Sequence, residues 1–547
     1  MAAEPELWYA DETFTPEERA ILSRYVTNLD GPVFALINLP EATKGALFAR
    51  YSRTTKPLRR LFLDEFADRV LGAPGPDEDV GRERARRLYE NVFVEYGDDS
   101  VAQLGGVHLA CEQVSQLLAK ALEWGRLAAY LEQSTRYLRY DDRPGGRWRA
   151  TVPPELEASS LADDYRAFLD DVFTTYGRMY EPLRSWFVRR YPQQPGDSDT
   201  VYRQTITAKT CDALRLLLPA GTRSNLGIYA SGQSYEHLVM RLSVHPLAEA
   251  RAYGRLVLAE LRKVIPEFLT RVDQPERGVA WARYWREQRE RTAEIAERLL
   301  AGIEPEEREE VTLVDHDPEG ELKVTAAVLY PYSDLPDDQL LELVRDLPSQ
   351  ERARILAASV GGRRNRRHKP GRAWERTAYR FDVLCDYGAF RDLQRHRPLT
   401  IEWQRLGPSF GYEVPAAVEE AGLRSEWDRI MVRSRELHDE IAAAGLPEAA
   451  QYAVAMAYRV RFVMQMNARE AMHLTELRSS PQGHPTYRRV AQAMHREIAR
   501  VHPALGAAFT YVSYEDVDLE RLEAERRAER KRRAAGVDAE PPGSAVR

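Results

Sequence analysis

Cysteine is nearly missing from this chain: Cys111, Cys211 and Cys385 are the only three in 547 residues, and each is isolated. Scattered thiols supply neither a disulfide framework nor the paired ligands of a structural zinc site, so no metal is expected. Long hydrophobic runs are missing too. Although 44% of the residues are hydrophobic, nothing approaches the roughly 20 consecutive apolar residues that span a bilayer. The opening MAAEPELWYADETF is acidic and lacks the basic and apolar regions of a secretory signal. These absences predict a soluble, cytoplasmic protein without a membrane partner. An excess of positive charge is also absent. A net charge of −7 gives no reason to expect a nucleic acid polymer as partner.

What is present is length and self-similarity. At roughly 100–200 residues per domain, the chain is long enough for two to four domains. The stretch Val33 to Ser52, VFALINLPEATKGALFARYS, resembles Val311 to Ser333, VTLVDHDPEGELKVTAAVLYPYS. Each has an apolar strand-like run, a Pro-Glu break, an alanine-rich helical segment, then Tyr and Ser. A helix-like stretch ends in EWGRLAAYLEQSTRY in the first half and in LQRHRPLTIEWQRLG in the second, and ASGQSYEHLVMR (Ala230 to Arg241) resembles MNAREAMHLTELR (Met466 to Arg478). Three ordered similarities predict a tandem duplication. The expected parts are an N-terminal unit over 1–300, a linker over 301–310, a C-terminal unit over 311–517, and a charged, disordered tail over 518–547. Apolar residues at three- and four-residue spacing predict helices at Leu61 to Val70, Ser159 to Phe187, Leu247 to Leu269, Trp281 to Leu300, Glu426 to Ala443 and Tyr487 to Val501. Helix dominates. Cys111, Cys385 and His108 are expected in the core, and Trp374, Tyr379 and Phe381 as packing.

The segments richest in chemistry are Glu132-Gln133-Ser134-Thr135-Arg136-Tyr137 and Arg395-His396-Arg397. An Arg-His-Arg triplet gathers fork-shaped donors and a ring nitrogen, which suits phosphates and planar heterocycles; alone, such a triplet is as readily a solvated helix end. Superimposed, the two segments resemble the two ends of the signature of the flavin-dependent thymidylate synthases. The first half keeps Arg126, Glu132, Ser134, Arg136 and Tyr137 but has Trp124 and Gly125 where the first Arg and His belong. The second keeps Arg395, His396 and Arg397, with Thr400 for a Ser, but then has Trp403, Arg405 and Gly407. Arg215, in Ala213 to Pro219, is similar to the arginine of the family's Ala-Arg-x-x-Leu-Pro segment. Asn467, Arg469, His473 and Arg478 resemble a third landmark, for which the first half offers Ser231, Gln233, His237 and a displaced Arg241.

The resemblance implies an α+β fold, each half a small mixed or antiparallel sheet packed with long helices, and a homodimer imitating the family's tetramer. It implies that Glu132, Ser134, Arg136 and Arg215 meet Arg395 and Arg478 to hold dUMP. Flavin contacts would come from Ser100, Arg395, His396, Arg397, Asn467, Arg469 and His473, although Asp98 stands where the family has a histidine. FAD would be the cofactor, with NADPH and methylenetetrahydrofolate as co-substrates. A guanidinium beside the uracil carbonyls stabilises charge as the ring becomes electron-rich, and Arg478 is the catalytic candidate. The second, pseudo-equivalent site, with Trp124, Gly125, Arg405 and Gly407, is expected to be dead. Methylation of another pyrimidine nucleotide such as UMP, or non-catalytic flavin or nucleotide sensing, are the other readings. The basic stretch Gly361 to Lys369 is either a solvated loop or a grip on the flavin diphosphate.

Overall fold

Four strands of this chain run directly into helices, and in each case the last strand residue caps the helix it enters. The computed structural model describes residues 12–51, 54–67 and 103–534. Ser115 ends strand β1 (Gly106–Ser115) and accepts from the Leu118 N–H at 3.0 Å. Ser231 ends β3 (Arg223–Ser231) and accepts from Ser234 N–H at 3.4 Å. Asp386 ends β5 (Ala378–Asp386) and takes Ala389 N–H at 2.7 Å, and Asn467 ends β7 (Arg459–Asn467) and takes Glu470 N–H at 2.9 Å. Ser, Asp and Asn are the residues whose short oxygens reach the orphan donors of a first turn. The helices so started are Gln116–Leu122, Gly232–Ser243, Tyr387–Leu393 and Ala468–Arg478.

The strands form two small sheets. With β2 (Ala128–Glu132), the first has the order β1-β3-β2; with β4 (Val311–His316) and β6 (Thr400–Trp403), the second has β4-β5-β7-β6. The second sheet is antiparallel throughout. In β7 the sequence RVRFVMQMN alternates with the pleat: Val460, Phe462, Met464 and Met466 are buried, as a sheet covered on one face requires. Helix dominates the rest of the α+β fold. Expected helices stand at Ala162–Arg190, Ala280–Leu300, Arg424–Ala443 and Pro485–Val501. No described helix is long and apolar enough to cross a membrane.

Two compact units cut across the sequence halves. The first comprises residues 1–111, 127–131 and 226–301; the second comprises 112–126, 132–225 and 302–547. The first contains a core of Leu22, Tyr25, Leu47, Leu61 and Phe62. In the second, backbone bonds join the sequence halves, from Met456 N–H to Leu218 O at 2.9 Å and from Ala457 N–H to Leu216 O at 2.8 Å.

Several expectations are corrected. The apolar run from Val33 is not a strand. It makes one isolated bridge, Val26 to Leu36, and is turned by Asn38 at φ 56° before the helix Glu41–Tyr51. The helix from Leu247 stops at Leu261 and yields to a short turn at Pro266–Leu269, because proline cannot donate within a helix. His108 is exposed on β1, its ring tilted against that of Tyr229 with centroids 4.4 Å apart, since the pleat sends Val107 inward instead. The tail from 518 is ordered as far as it is described: Glu520 pairs with Lys209, and the helix Leu522–Ala534 is held through Arg526 to Asp197, while 535–547 lie outside the described residues. Cys111, Cys385, Trp374, Tyr379 and Phe381 are buried.

Candidate functional site

Residues singled out in both sequence halves meet in the second unit as one ionic network, buried except at Arg395, whose side chain is 41% exposed. Glu132, the last residue of β2, accepts from Arg391 Nη2 and Arg395 Nη2, both at 2.8 Å, with its side chain 4% exposed. Arg391 and Arg395 lie in and just after the helix Tyr387–Leu393. Arg395 also faces Asp392 at 3.5 Å, and Asp392 in turn faces Arg215 at 3.4 Å. Arg215 is 3.3 Å from Asp212, which receives a two-pronged bond from Arg136, 2.8 Å on each arm. Arg136 therefore connects to Arg395 through successive contacts. Ser134 Oγ accepts from the Arg136 backbone at 3.2 Å and fixes the turn that carries it.

Charge balance decides the protonation states. Burial works to raise the Asp212 carboxyl, but Arg136 and Arg215 overcome it and hold the group well below the carboxylate range. Asp392 is depressed in the same way, against burial, by Arg395, Arg215 and Arg478. Glu123 behaves oppositely. Burial lifts it to about 7 despite Arg391 at 3.2 Å, since Arg391 also serves Glu132. Arg136 gives its remaining arm to the Tyr487 hydroxyl at 2.9 Å.

The second group stands on the helix Ala468–Arg478. Asn467 caps it, Arg469 and His473 share a face one turn apart, and Arg478 ends it. The Arg478 Nε–H donates to His396 Nε2 at 2.9 Å. That bond fixes the tautomer: His396 carries its proton on Nδ1 and donates it to Glu470 Oε1 at 2.8 Å. Burial holds His396 neutral, and burial with Lys369, Arg366, Arg478 and Arg469 lowers His473 to about 4. Ligand atoms of His396, Glu470 and His473 lie within 4.8 Å of one another. Two imidazoles and a carboxylate could hold a metal ion, but the charges of Lys369, Arg366, Arg478 and Arg469 around His473 oppose a cation there. Arg469 donates to Pro370 O at 2.9 Å, and Arg397 is half-buried beside His396 in sequence.

Within the basic stretch, Arg363 is a structural ion-pair partner, 2.5 Å from Glu476 and almost wholly buried. Lys369 is partly buried, its ammonium lowered by burial and opposed by Arg469 and Arg366. Among the residues expected at a second, degenerate site, Trp124 meets Trp403 edge to face at 6.1 Å, and Arg405 is paired with Glu448 at 2.6 Å. Ser231 and His237 belong to the first unit. Ser100 and Asp98 lie outside the described residues.

Sequence reasoning missed Arg391, the carboxylates Asp212, Asp392, Glu123 and Glu470, and the rings of Tyr487 and His484. A signal for two of them exists. Asp212 stands three residues before Arg215, and Asp392 three before Arg395, the spacing at which helical side chains meet.

Comparison with known proteins completes the picture. The sequence pattern described as "Thymidylate synthase complementing protein" matches residues 47–267 and 312–504. A UPF0159 protein of Chlamydia muridarum is 39% identical over 520 residues, covering 94% of this chain and 98% of its own length. A UPF0159 protein of Thermoplasma acidophilum is 30% identical over 514 residues, 88% of this chain and 98% of its own. A flavin-dependent thymidylate synthase of Clostridium tetani is 21% identical over 197 residues, 36% of this chain and 74% of its own. The chain belongs to the thymidylate synthase complementing protein family.

Proposed function

We propose that the chain is a flavin-dependent thymidylate synthase that methylates dUMP to dTMP at one composite site made from both halves of a duplicated sequence. The carbon donor would be methylenetetrahydrofolate, the reductant NADPH and the cofactor FAD. The observation that carries this reading is the direct contact of Glu132 with Arg395 at 2.8 Å within a single chain, which joins the two complementary signature ends. The repeated strand order, β1-β3-β2 and β5-β7-β6, and the two matched segments support the duplication.

The dUMP end has a surplus of positive charge. Arg136, Arg215, Arg391, Arg395 and Arg478 face Asp212, Asp392, Glu132 and a Glu123 that burial lifts to about 7. Asp212 holds Arg136 and Arg215 in alignment, so a phosphate meets donors already oriented. The flavin end fits an anionic diphosphate: Lys369, Arg366, Arg469 and Arg478 converge on His473. Arg397, Asn467, Arg469 and His473 would hold the cofactor there. When bound, FAD would supply the redox chemistry that turns the transferred carbon into a methyl group. Arg478 is largely enclosed, with its side chain 14% exposed, and burial lowers its pKa. With Nε tied to His396, its terminal nitrogens are the ones to lie against the uracil carbonyls and stabilise the charge that develops on the ring. His396 and Glu470 keep that guanidinium in place.

The test is purification and complementation. The protein should be yellow, oxidise NADPH in a dUMP-dependent way, rescue a thymidine auxotroph and sediment as two copies. Colourless protein that fails to rescue overturns the reading. Turnover of UMP instead of dUMP would move the substrate to another pyrimidine nucleotide. An Arg478→Ala variant that binds FAD and keeps full biological function would leave only sensing.

A further inference from the structure

The family match ends at residue 504, yet the chain beyond it folds onto the signature. Lys209 Nζ donates to Glu520 Oε1 at 2.5 Å, and Arg526 grips Asp197 at 2.6 and 2.9 Å. The Tyr191 hydroxyl donates to Asp518 at 3.2 Å. The Arg521 guanidinium lies 4.8 Å from the centre of the Tyr137 ring, next in sequence to Arg136. Beneath this segment is a cavity of about 10 Å³, lined by Arg136, Tyr137, Lys209, Asp212, Glu520 and Arg521. That is room for one oxygen the size of a water molecule. One arm of Arg521 turns to Glu525 at 3.1 Å, while its Nε–H is buried without an acceptor.

A buried, unpaired guanidinium donor is an unstable arrangement unless something arrives to accept from it. We propose that residues 516–534 form a strap that completes a phosphate-binding wall. Arg521 Nε donates to an oxygen of a phosphate monoester held by Arg136, and the Glu520 carboxylate occupies Lys209 until that phosphate displaces it. The proposal rests on Arg136 being a phosphate ligand. Three cations, Arg136, Lys209 and Arg521, surround the cavity against two carboxylates, Asp212 and Glu520. Asp212 is committed to Arg136 and Arg215, so Glu520 is the carboxylate free to leave. Burial holds its carboxyl above the ordinary value, and release to water relieves that. A phosphate larger than the present cavity enters only as Glu520 gives way.

The two neighbouring residues thus predict effects of opposite sign, measured on the full chain by calorimetry with dUMP, deoxyuridine and inorganic phosphate. Arg521→Ala should weaken dUMP roughly 10- to 100-fold, the loss of one charge-assisted bond, and leave deoxyuridine unchanged. Glu520→Gln, which keeps the side chain's shape, should tighten dUMP and inorganic phosphate several-fold. Unchanged dUMP affinity in Arg521→Ala, equal weakening of deoxyuridine, or weaker binding in Glu520→Gln overturns the strap. Inorganic phosphate binding with this pattern but no dUMP binding keeps the strap and removes the thymidylate reading. No binding of either removes the strap.

Discussion

Glu132→Gln is the substitution to which the network should answer most clearly. The carboxylate accepts one short bond from each of two arginines, Arg391 and Arg395, at 2.8 Å, with its own side chain 4% exposed. Glutamine keeps the volume but offers one carbonyl oxygen, so one arginine keeps an acceptor and the other meets an amide N–H₂. A hydrogen bond to a charged group contributes about 1.5–3 kcal/mol, and breaking a buried pair costs about 3–5 kcal/mol. Part of the loss is recovered. Glu123, lifted to about 7 by burial and further opposed by Glu132, loses a like-charged neighbour, ionises more readily and neutralises Arg391 at 3.2 Å. The net cost is about 2–3 kcal/mol. Two compact units need not unfold together, so the assay is hydrogen exchange by mass spectrometry on peptides covering Tyr387 to Trp403. Protection there should fall roughly 30- to 150-fold, with little change over Leu58–Glu65 in the other unit. A fall of less than about threefold would refute the claim that Glu132 neutralises both arginines.

Two further outcomes follow from the buried charges. Burial, with Arg215 and Arg136, lowers His484 to about 3, so it stays neutral in the fold while the unfolded chain takes up a proton below about 6.5. Stability therefore falls with acid from about pH 6.5 down through about 3, about 2 kcal/mol of it from this group between 6.5 and 5. His484→Asn preserves the helix cap and should reduce the proton uptake on unfolding by about one in melts recorded at several pH values; an unchanged slope contradicts it. Glu476→Ala leaves the buried Arg363 without its carboxylate and removes the acceptor of Tyr511 N–H at 3.2 Å. A loss of about 3–5 kcal/mol, read as a lowered melting temperature, is expected. A melt within a degree of the parent would show Arg363 to be solvated.

The sequence made some of this structure legible. Amphipathic spacing located the long helices to within a few residues, because apolar faces at 3.6-residue period are a local property. Strands β5 and β7 carry equally readable alternation, as in RVRFVMQMN, where every second residue from Val460 is buried. The false strand at Val33 had the apolar content but lacked a partner beyond one bridge. Pairing is a non-local property and could not be read there. The ionic network was half visible. Glu132, Arg136, Arg215 and Arg395 were found through their resemblance to a signature, while Arg391 and the carboxylates Asp212, Asp392 and Glu123 were missed because phosphate recognition suggests cations and is silent about what holds them apart.

Those carboxylates also explain why the compact units disregard the sequence halves. Arg391 and Arg395 come from the second half, but the carboxylates that neutralise them most closely, Glu123 and Glu132, come from the first. Arg215 comes from the first half, and Asp392, which it faces at 3.4 Å, from the second. If residues 302–547 folded without 112–126 and 132–225, Arg391 would be left as a buried charge without a carboxylate of its own, a state costing several kcal/mol. The second half would have to keep its arginines in water or forgo burying the helix Tyr387–Leu393, all seven of whose residues are buried. Folding the crossing pairs together in one unit is the arrangement that satisfies both. The same crossing brings first-half and second-half arginines into one ionic network, so the sharing of charge between the halves is a condition of stability.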